Sequence, residues 1–390
     1  MKNVFLNGHL EEEVYMDPPP GFEGKYKSKI CRLRRSLYGL KQSPRAWFER
    51  FTQFVKRQGY VQGQADHTMF TRHSLEGKTT VLIVYVDDII LTGDDVVEIK
   101  NLKERLASEF EIKDLGPLKY FLGMEVARSK KGIIVSQRKY VLDLLKETGM
   151  SGCRPTETPI DPNLKFVKEG KLIDKGQYQR LVGKLIYLSH TRPDISFAVS
   201  LVIQFMHYPR EEHQEAVYRI LRYLKSSPGK GLFFKKNEQR SLEAYTDADW
   251  AGSSIDRRST SGYCTFVWGN LVTWRSKKQN VVARSSAEAE YRSMALGICE
   301  ILWLKRFLEE LRRPVSFPMK LYCDNKAAIS IAHNPVQHDR TKHVEVTDTS
   351  LKRRLKMEVC AFLLFQQQNK LQIFSQKVFS ELLLSPLLAS

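Results

Sequence analysis

Cysteine is scarce in this chain and never occurs in a closely spaced pair. The six cysteines are Cys31, Cys153, Cys264, Cys299, Cys323 and Cys360. Structural zinc sites and disulfide frameworks need cysteines at short or regular spacings, and no Cys-x-x-Cys motif is present. The scatter therefore argues against a zinc site and against a disulfide scaffold, and it favours a reducing compartment.

Long hydrophobic runs are also missing. No apolar stretch reaches the roughly 18–20 residues that a membrane-spanning helix needs, and no signal peptide opens the sequence. We also find no internal repeat and no long low-complexity tract in the sequence. We therefore expect an intracellular protein, in a cytoplasmic particle or in the nucleus, with no membrane partner.

Positive charge is what the chain has in excess. The 390 residues carry a formal net charge of +18, and 42% of them are hydrophobic. This length and apolar fraction are enough for two or three domains with real cores. The charge favours a polyanionic partner, either nucleic acid or an acidic membrane surface, although many basic proteins bind neither.

Two adjacent carboxylates, Asp87 and Asp88, interrupt an apolar and β-branched run over residues 81–91. Burying a bare carboxylate is costly, and two side by side repel each other, so a cation above the pair would explain their presence. The simplest geometry is a β-hairpin with Val86 and Asp87 at its tip and with buried arms. The alternative is an ordinary surface turn with two solvated aspartates.

Helix and strand patterns divide the rest of the chain. Ser43 and Pro44 predict the N-cap and the first position of a helix that ends at Gly59, with an aromatic stripe facing the core. Further helices are expected over residues 96–110, 177–190, 194–206, 211–226, 285–311 and 326–332. Strands are expected over residues 118–126, 132–135, 242–250, 262–268, 270–274 and 319–324. After residue 231 the order of strands, helix, strand and helix predicts an α/β domain.

Two stretches carry a resemblance to reverse transcriptases. The segment Tyr85-Val86-Asp87-Asp88 resembles their Tyr-x-Asp-Asp hairpin. Residues 36–47, with the sequence Ser-Leu-Tyr-Gly-Leu-Lys-Gln-Ser-Pro-Arg-Ala-Trp, are similar to a highly specific segment of copia-type retrotransposon Pol polyproteins. The resemblance implies that Asp87 and Asp88 are catalytic and hold Mg²⁺. It also implies that the residues binding the incoming dNTP are Tyr38, Gly39, Gln42 and Tyr85.

The resemblance has one departure near the start of the chain. The family's first metal-binding aspartate lies in the motif Asp-Val-Lys-Asn-Ala-Phe-Leu, and residues 1–6 match only the positions after it. The fingers subdomain would precede that motif. Two-metal phosphoryl transfer needs carboxylates from both places. We therefore expect an incomplete polymerase site.

A second resemblance, to the ribonuclease H domain of the same polyproteins, covers the later part of the chain. It rests on residues 245–250, 273–279, 285–291, 322–325 and 340–345. The match implies that the metal-binding carboxylates are Asp247, Glu290 and Asp324. Glu345 would be a fourth catalytic carboxylate, with His343 beside it. Two Mg²⁺ ions per site are implied, with Mn²⁺ able to substitute.

Some of these residues have structural alternatives. Ser285 and Glu288 have the spacing of a capping box, so Glu288 is expected to be structural. Asp249 fits either a residue behind the metal ligands or a surface acid. Asp324, just before Asn325, could instead cap the next helix.

The sequence thus predicts an α/β protein built from the α+β palm and helical thumb of a reverse transcriptase, followed by a ribonuclease H-like α/β domain. The palm is expected over residues 1–149, the linker and thumb over 150–230, and the ribonuclease H-like domain over 231–355. The tail, 356–390, is expected to be disordered. The implied function is RNA-directed DNA synthesis with cleavage of the RNA strand in RNA–DNA hybrids, and the partners are RNA template, DNA primer, hybrid and dNTP. The alternative is a catalytically dead remnant that only binds nucleic acid.

Overall fold

The chain divides into two compact units. A computed structural model describes residues 8, 10–22, 29–161, 170–253, 255–333 and 360–364. One unit comprises Met1–Leu118 with Arg306–Arg313, and the other comprises Lys119–Lys305 with Pro314–Ser390. No helix in the described part of the chain is long and apolar enough to cross a membrane.

The first unit is a sheet covered by helices. Its strands are β1 (Tyr15–Met16), β2 (Cys31–Arg32), β3 (Val61–Gln62), β4 (Met69–His73), β5 (Thr79–Tyr85) and β6 (Asp88–Gly93). Its helices are α1 (Ser43–Arg57) and α2 (Val96–Glu109). Strands β3 to β6 form an antiparallel sheet in sequence order, and β1 pairs with β2 in a separate two-stranded sheet. The mixed helix and strand architecture confirms the predicted fold class.

Helix α1 contributes an apolar face to the core of this unit. Trp47, Phe51 and Val55 recur at helical spacing and are all 2% exposed or less, so the predicted aromatic stripe is confirmed as a core face. The predicted cap is wrong by one residue. Gln42 occupies the N-cap position, while the Ser43 hydroxyl donates to the Leu37 carbonyl at 2.6 Å.

The first part of the second unit packs helices on a small sheet. Its strands are β7 (Tyr120–Phe121), β8 (Met124–Ser129), β9 (Gly132–Ser136) and β10 (Gly231–Lys235), in the order β10-β9-β8-β7. Its helices are α3 (Arg138–Glu147), α4 (Lys175–Leu188), a 3₁₀ turn (Pro193–Ile195), α5 (Ser196–Ile203) and α6 (Glu211–Ser226). Because β10 pairs with β9, residues 231–235 belong to this sheet rather than to the sheet that follows.

A buried ion pair fixes the chain between α4 and α5. Arg192 and Asp194 are both about 1% exposed, and the guanidinium donates to the carboxylate at 2.8 and 2.9 Å. Tyr223 of α6 donates its hydroxyl to Asp194 at 2.7 Å. The sequence predicted only a break here, between the helices over residues 177–190 and 194–206, whereas the structure places a buried ion pair among the packed helices.

The second part of this unit is a five-stranded mixed sheet in the order β13-β12-β11-β14-β15. The strands are β11 (Leu242–Asp249), β12 (Thr260–Val267), β13 (Asn270–Lys278), β14 (Met319–Cys323) and β15 (Cys360–Leu364). The helices are α7 (Ser286–Glu310), of which this unit contains the part up to Lys305, and α8 (Lys326–His333). Strands β11 to β13 are antiparallel neighbours, and β14 runs parallel to both β11 and β15.

Strand β15 differs from the sequence prediction. Its five residues lie within the segment 356–390, for which disorder was expected, and their backbone pairs with β14 over its whole length. The rest of that segment lies outside the described residues.

Candidate active site

The carboxylate pair of the first unit sits on a hairpin, as predicted. Strand β5 pairs with β6 so that Tyr85 is opposite Asp88, which leaves Val86 and Asp87 as the turn. Val86 has a φ of +54°, a conformation that costs a β-branched residue about 1–3 kcal/mol. Asp87 is exposed and Asp88 is half-buried. Both carboxylates therefore lie at the accessible end of a strand pair whose arms enter the core.

A tryptophan from α1 holds the tip of this hairpin. The Trp47 indole N–H donates to the Val86 carbonyl at 3.1 Å, and the Trp47 side chain itself is 2% exposed. The contact joins residues 39 positions apart in the sequence. It explains how the strained turn stays in place, because a buried indole N–H requires an acceptor and the turn provides one.

The predicted nucleotide-binding residues precede the same helix. Tyr38 and Gly39 form a turn just before α1, and Gln42 is its N-cap. Gly39 has a φ of +92°, which explains a glycine there. The Tyr38 and Tyr85 side chains are more than half exposed. Since Trp47 touches the hairpin tip, this turn and the carboxylate pair belong to the same region of the unit.

The second candidate site lies where two parallel strands end. Tyr245 of β11 is opposite Tyr322 of β14, and the two rings stack at 4.6 Å between centroids. Asp247 and Asp324 each come two residues after these partners. Because parallel strands in register end at the same edge of a sheet, these two aspartates occupy equivalent places on neighbouring strands.

Helix α7 brings a third carboxylate to this edge. Glu290 is 1% exposed, and its Oε1 accepts a hydrogen bond from the Ala248 amide at 3.1 Å. The Cys323 thiol donates to Glu290 Oε2 at 3.8 Å. One ligand atom each from Glu290, Cys323 and Asp324 lies within 4.8 Å of the other two. Among the described residues this is the one group of three or more possible metal ligands at such spacing.

Asp247 is outside this closest group but acts on it electrostatically. Burial raises the pKa of the Cys323 thiol to about 12, against a lowering hydrogen bond from the Asn325 amide. The charges of Glu290, Asp324 and Asp247 raise the pKa further. The charges of all three predicted carboxylates thus act on one buried thiol, in agreement with the positions of Asp247 on β11 and of Asp324 just after the neighbouring β14.

Asp249 is a neighbour of the site with a separate role. Burial raises the pKa of Asp249 to about 6, and the charge of Asp247 adds to this rise. The hydrogen bond from the Thr260 amide to Asp249 Oδ1 opposes the rise. Asp249 thus ties the end of β11 to β12, and its partial burial does not fit an exposed surface acid.

The start of α7 explains the neighbouring acid. The Ser285 hydroxyl accepts from the Glu288 amide at 3.2 Å, as in a capping box. The Glu288 carboxylate accepts a hydrogen bond from the Arg284 amide at 2.9 Å and forms an ion pair with Arg292 at 2.9 Å. Glu288 is therefore structural, as predicted.

Asp324 does not cap the following helix. The amide of Ala328 donates to the side-chain oxygen of Asn325 at 3.0 Å, so Asn325 is the N-cap of α8. The capping alternative for Asp324 is wrong, because α8 begins at Lys326, one residue later than that alternative needs.

Two small residues that the sequence reading passed over set α7 on the sheet. The Ser293 hydroxyl lies 2.8 Å from the carbonyls of both Asp247 and Gly262. At Gly297 an added Cβ would lie 2.6 Å from Thr246 Cγ2, so the helix approaches β11 closely at that point. The signal available in the sequence was a glycine inside an otherwise helical pattern. The predicted residues His343 and Glu345 lie outside the described part of the chain.

Comparison with known proteins identifies the family. Residues 1–162 match the family described as Reverse transcriptase (RNA-dependent DNA polymerase). The Retrovirus-related Pol polyprotein from transposon RE1 of Arabidopsis thaliana is 45% identical over 350 residues, covering 89% of this chain and 24% of the polyprotein. The Pol polyprotein from transposon TNT 1-94 of Nicotiana tabacum is 40% identical over 359 residues, covering 89% of this chain and 27% of that protein. The chain thus spans about a quarter of the length of these polyproteins.

A shorter relative is covered almost completely. A putative transposon Ty5-1 protein of Saccharomyces cerevisiae is 33% identical over 304 residues, covering 76% of this chain and 98% of that protein. Among solved structures, LC11-RNase H1 in complex with an RNA/DNA hybrid is similar at 14% identity and a TM-score of 0.25, over 33% of this chain and 88% of that one. From the sequence matches, this chain belongs to the reverse transcriptase family of copia-type transposon Pol polyproteins.

Proposed function

We propose that this chain carries the reverse transcriptase and ribonuclease H parts of a retrotransposon Pol polyprotein. It would act on an RNA template and on RNA–DNA hybrids by phosphoryl transfer that uses two divalent metal ions. The ribonuclease H part is the half for which the described residues provide the larger ligand set.

The single observation that carries the proposal is the carboxylate group at the ends of β11 and β14. Glu290 and Asp324 have ligand atoms within 4.8 Å of each other, and Asp247 occupies the matching place on the adjacent strand. Carboxylate oxygens are the ligands that Mg²⁺ prefers, and Mn²⁺ accepts the same set. Glu290 is almost completely buried. A divalent cation fits this donor set.

The proposed roles follow from the positions of these residues. Asp247, Glu290 and Asp324 would hold the ions, and Asp249 would keep the end of β11 in place through its bond to the Thr260 amide. When bound, two Mg²⁺ ions supply charge stabilisation for the attacking water and for the leaving 3′-oxygen. Glu345 is proposed as a fourth ligand.

The polymerase half of the proposal rests on the hairpin. Asp87 and Asp88 would hold Mg²⁺ for the addition of a nucleotide to the primer 3′-hydroxyl. The turn before α1 would contact the incoming dNTP through Tyr38, Gly39 and Gln42, together with Tyr85 of the hairpin. The Trp47 contact with the hairpin tip supports this grouping. Among the described residues no third possible metal ligand joins the pair within the spacing found at Glu290, so ribonuclease H activity is the first function to test.

The net charge of +18 supports a nucleic-acid partner. Lysine and arginine neutralise phosphates along a duplex with little regard to sequence, and this binding weakens as salt rises. The hybrid is therefore expected to bind through its backbone, with the carboxylate group acting only at the bond that is cut.

The test is cleavage of the RNA strand in an RNA–DNA hybrid by the full chain with Mg²⁺. Glu290→Gln and Asp247→Asn should each abolish cleavage while leaving salt-dependent hybrid binding intact. The matched control is Glu300→Gln on the same helix, because Glu300 accepts a hydrogen bond from Tyr263 at 2.9 Å and is not part of the carboxylate group. Hybrid binding with no cleavage by the unmodified chain would instead favour the catalytically dead remnant.

A further inference from the structure

A cysteine sulfur lies beside the carboxylates of Glu290 and Asp324, and Mg²⁺ does not take sulfur as a ligand. Cys323 is 1% exposed, and its Sγ lies 3.8 Å from Glu290 Oε2. Hard cations such as Mg²⁺ take oxygen ligands, whereas thiolate selects softer cations such as Zn²⁺ and Cd²⁺. The same place in the fold therefore offers two different ligand sets that share Glu290 and Asp324.

The position of the sulfur is fixed by the backbone around it. Cys323 is the last residue of β14, and its Sγ accepts a hydrogen bond from the Asn325 amide at 3.4 Å. Asn325 is itself held as the N-cap of α8. The thiol thus lies between a strand end and a capped helix start, beside the buried Glu290, and has little freedom to turn away.

The observed spacing matches soft-metal coordination. With a metal–sulfur distance of about 2.3 Å, a metal–oxygen distance of about 2.0 Å and tetrahedral angles, the two ligand atoms would be about 3.5 Å apart. The Cys323 Sγ to Glu290 Oε2 distance is 3.8 Å, and Asp324 offers an oxygen within 4.8 Å of both. A shift of a few tenths of an ångström would bring the sulfur and the Glu290 oxygen to the spacing for Zn²⁺, and the larger Cd²⁺ needs less.

We propose that Glu290, Cys323 and Asp324 form a binding site for a soft divalent cation, and that such a cation competes with Mg²⁺ for the two shared carboxylates. On binding, a metal–sulfur bond forms and the thiol proton leaves to the buffer, with no change of oxidation state. The inference rests on the proposed function for the identity of the competing ion, while soft-cation binding itself depends only on this ligand set. Soft cations would therefore inhibit a Mg²⁺-dependent reaction at this site.

The test is a titration of the full chain with CdCl₂ in metal-free buffer, without nucleic acid, read from the ultraviolet charge-transfer absorption of cadmium–thiolate bonds. Cys323→Ser should remove the tightest binding step. Cys264→Ser is the matched control, because Cys264 is also a buried strand cysteine but is not part of the ligand group, and it should leave that step unchanged. The other cysteines then contribute only to weaker steps, and the hairpin carboxylates contribute no absorption.

Two further arms identify the carboxylates as ligands. Glu290→Gln and Asp324→Asn should each raise the Cd²⁺ concentration at half-saturation by at least about 10–100-fold, because that is the range for losing even a partner behind a metal ligand. Excess Mg²⁺ should raise it as well. Thermal melting verifies that each variant is folded. Because two carboxylate variants are measured, the test can still be read if one of them does not fold.

Several results would overturn the inference. If the Cys323→Ser variant kept the tightest Cd²⁺-binding step of the unmodified chain, the sulfur would be excluded as a ligand. Unchanged binding in both carboxylate variants would reduce the event to an isolated thiol. No effect of excess Mg²⁺ would refute the competition for the shared carboxylates. Because the titration needs no cleavage, a chain that binds Cd²⁺ in this way but does not cut hybrid would refute the proposed function and leave the soft-cation site standing.

Discussion

Replacing Gly297 by alanine tests how closely α7 must approach the sheet. In an exposed helix interior this change stabilises by about 0.5–1 kcal/mol, because glycine is the more flexible residue in the unfolded chain. Here the added Cβ would lie 2.6 Å from Thr246 Cγ2 and 3.3 Å from Leu321 Cδ1. Carbon atoms prefer about 3.5–4.0 Å, so the first contact is too short by roughly 1 Å.

Thr246 cannot give way easily. It is buried and β-branched, and its hydroxyl donates to the Tyr322 carbonyl at 3.3 Å. Overpacking of this kind costs about 1–3 kcal/mol, which outweighs the gain in helix propensity. We expect Gly297→Ala to lower the free energy of unfolding by about 1–2 kcal/mol and to weaken metal binding, since Asp247 follows Thr246.

Gly183→Ala is the matched control for this prediction. Gly183 lies within α4 of the same unit, and an added Cβ there would meet no atom within 4 Å. It should raise stability by about 0.5–1 kcal/mol. The measurement is urea unfolding followed by far-ultraviolet circular dichroism, with both variants compared at the same transition. If Gly297→Ala were stabilised as much as Gly183→Ala, the close approach of α7 to β11 would be refuted.

Three further predictions concern other contacts. Asp194→Asn should cost about 3–5 kcal/mol in urea unfolding, because the buried Arg192 loses its counter-charge. Burial opposes the ionised form of Asp194, but the charge of Arg192 outweighs burial and lowers the pKa of Asp194. The stability from this pair is therefore present above about pH 4 and is lost as the pH falls further. Asp194→Asn should flatten this pH dependence, and an equally steep loss of stability in acid would contradict the prediction. Trp47→Phe should cost about 0.5–1.5 kcal/mol through the lost bond to the hairpin tip, and no measurable change would contradict the contact. Asn325→Ala should cost about 1 kcal/mol as a lost helix cap, whereas Asp324→Ala should cost clearly less, and the reverse order in urea unfolding would return the cap to Asp324.

The hairpin shows what the sequence could predict. Its arms are apolar, Asp87 and Asp88 are adjacent, and the four-residue motif resembles a known turn, so the strand pair and its tip were predictable. The bond from Trp47 to Val86 was not. A pattern of apolar residues shows that Trp47 is buried, but it does not reveal which carbonyl 39 positions away accepts its N–H.

The carboxylate group was predicted by resemblance, while its supports were not. Asp324 and Asn325 are neighbours and both are good N-caps, so only the residue at which α8 begins decides between them. Ser293 and Gly297 lie where α7 packs against β11, and sequence periodicity does not specify which residues make such a contact. The domain limits at residues 149, 230 and 355 stay a prediction.

The strand β15 and the Arg192–Asp194 pair mark a further limit. Residues 360–364 pair with a strand 41 positions earlier, and local composition does not encode so distant a partner. Arg192 looked like part of a break between helices because Pro193 follows it. Its role depends on Asp194 and Tyr223, and Tyr223 lies on another helix, where no local sequence pattern connects it to Arg192.

The most direct test of the account is Mn²⁺ binding measured by electron paramagnetic resonance. The chain would carry Asp87→Asn and Asp88→Asn, so that the hairpin cannot contribute. With this background, Glu290→Gln should abolish the bound Mn²⁺ signal, and Glu300→Gln should leave it unchanged. Equal Mn²⁺ binding in both variants would contradict the claim that Glu290 and Asp324 hold a divalent cation.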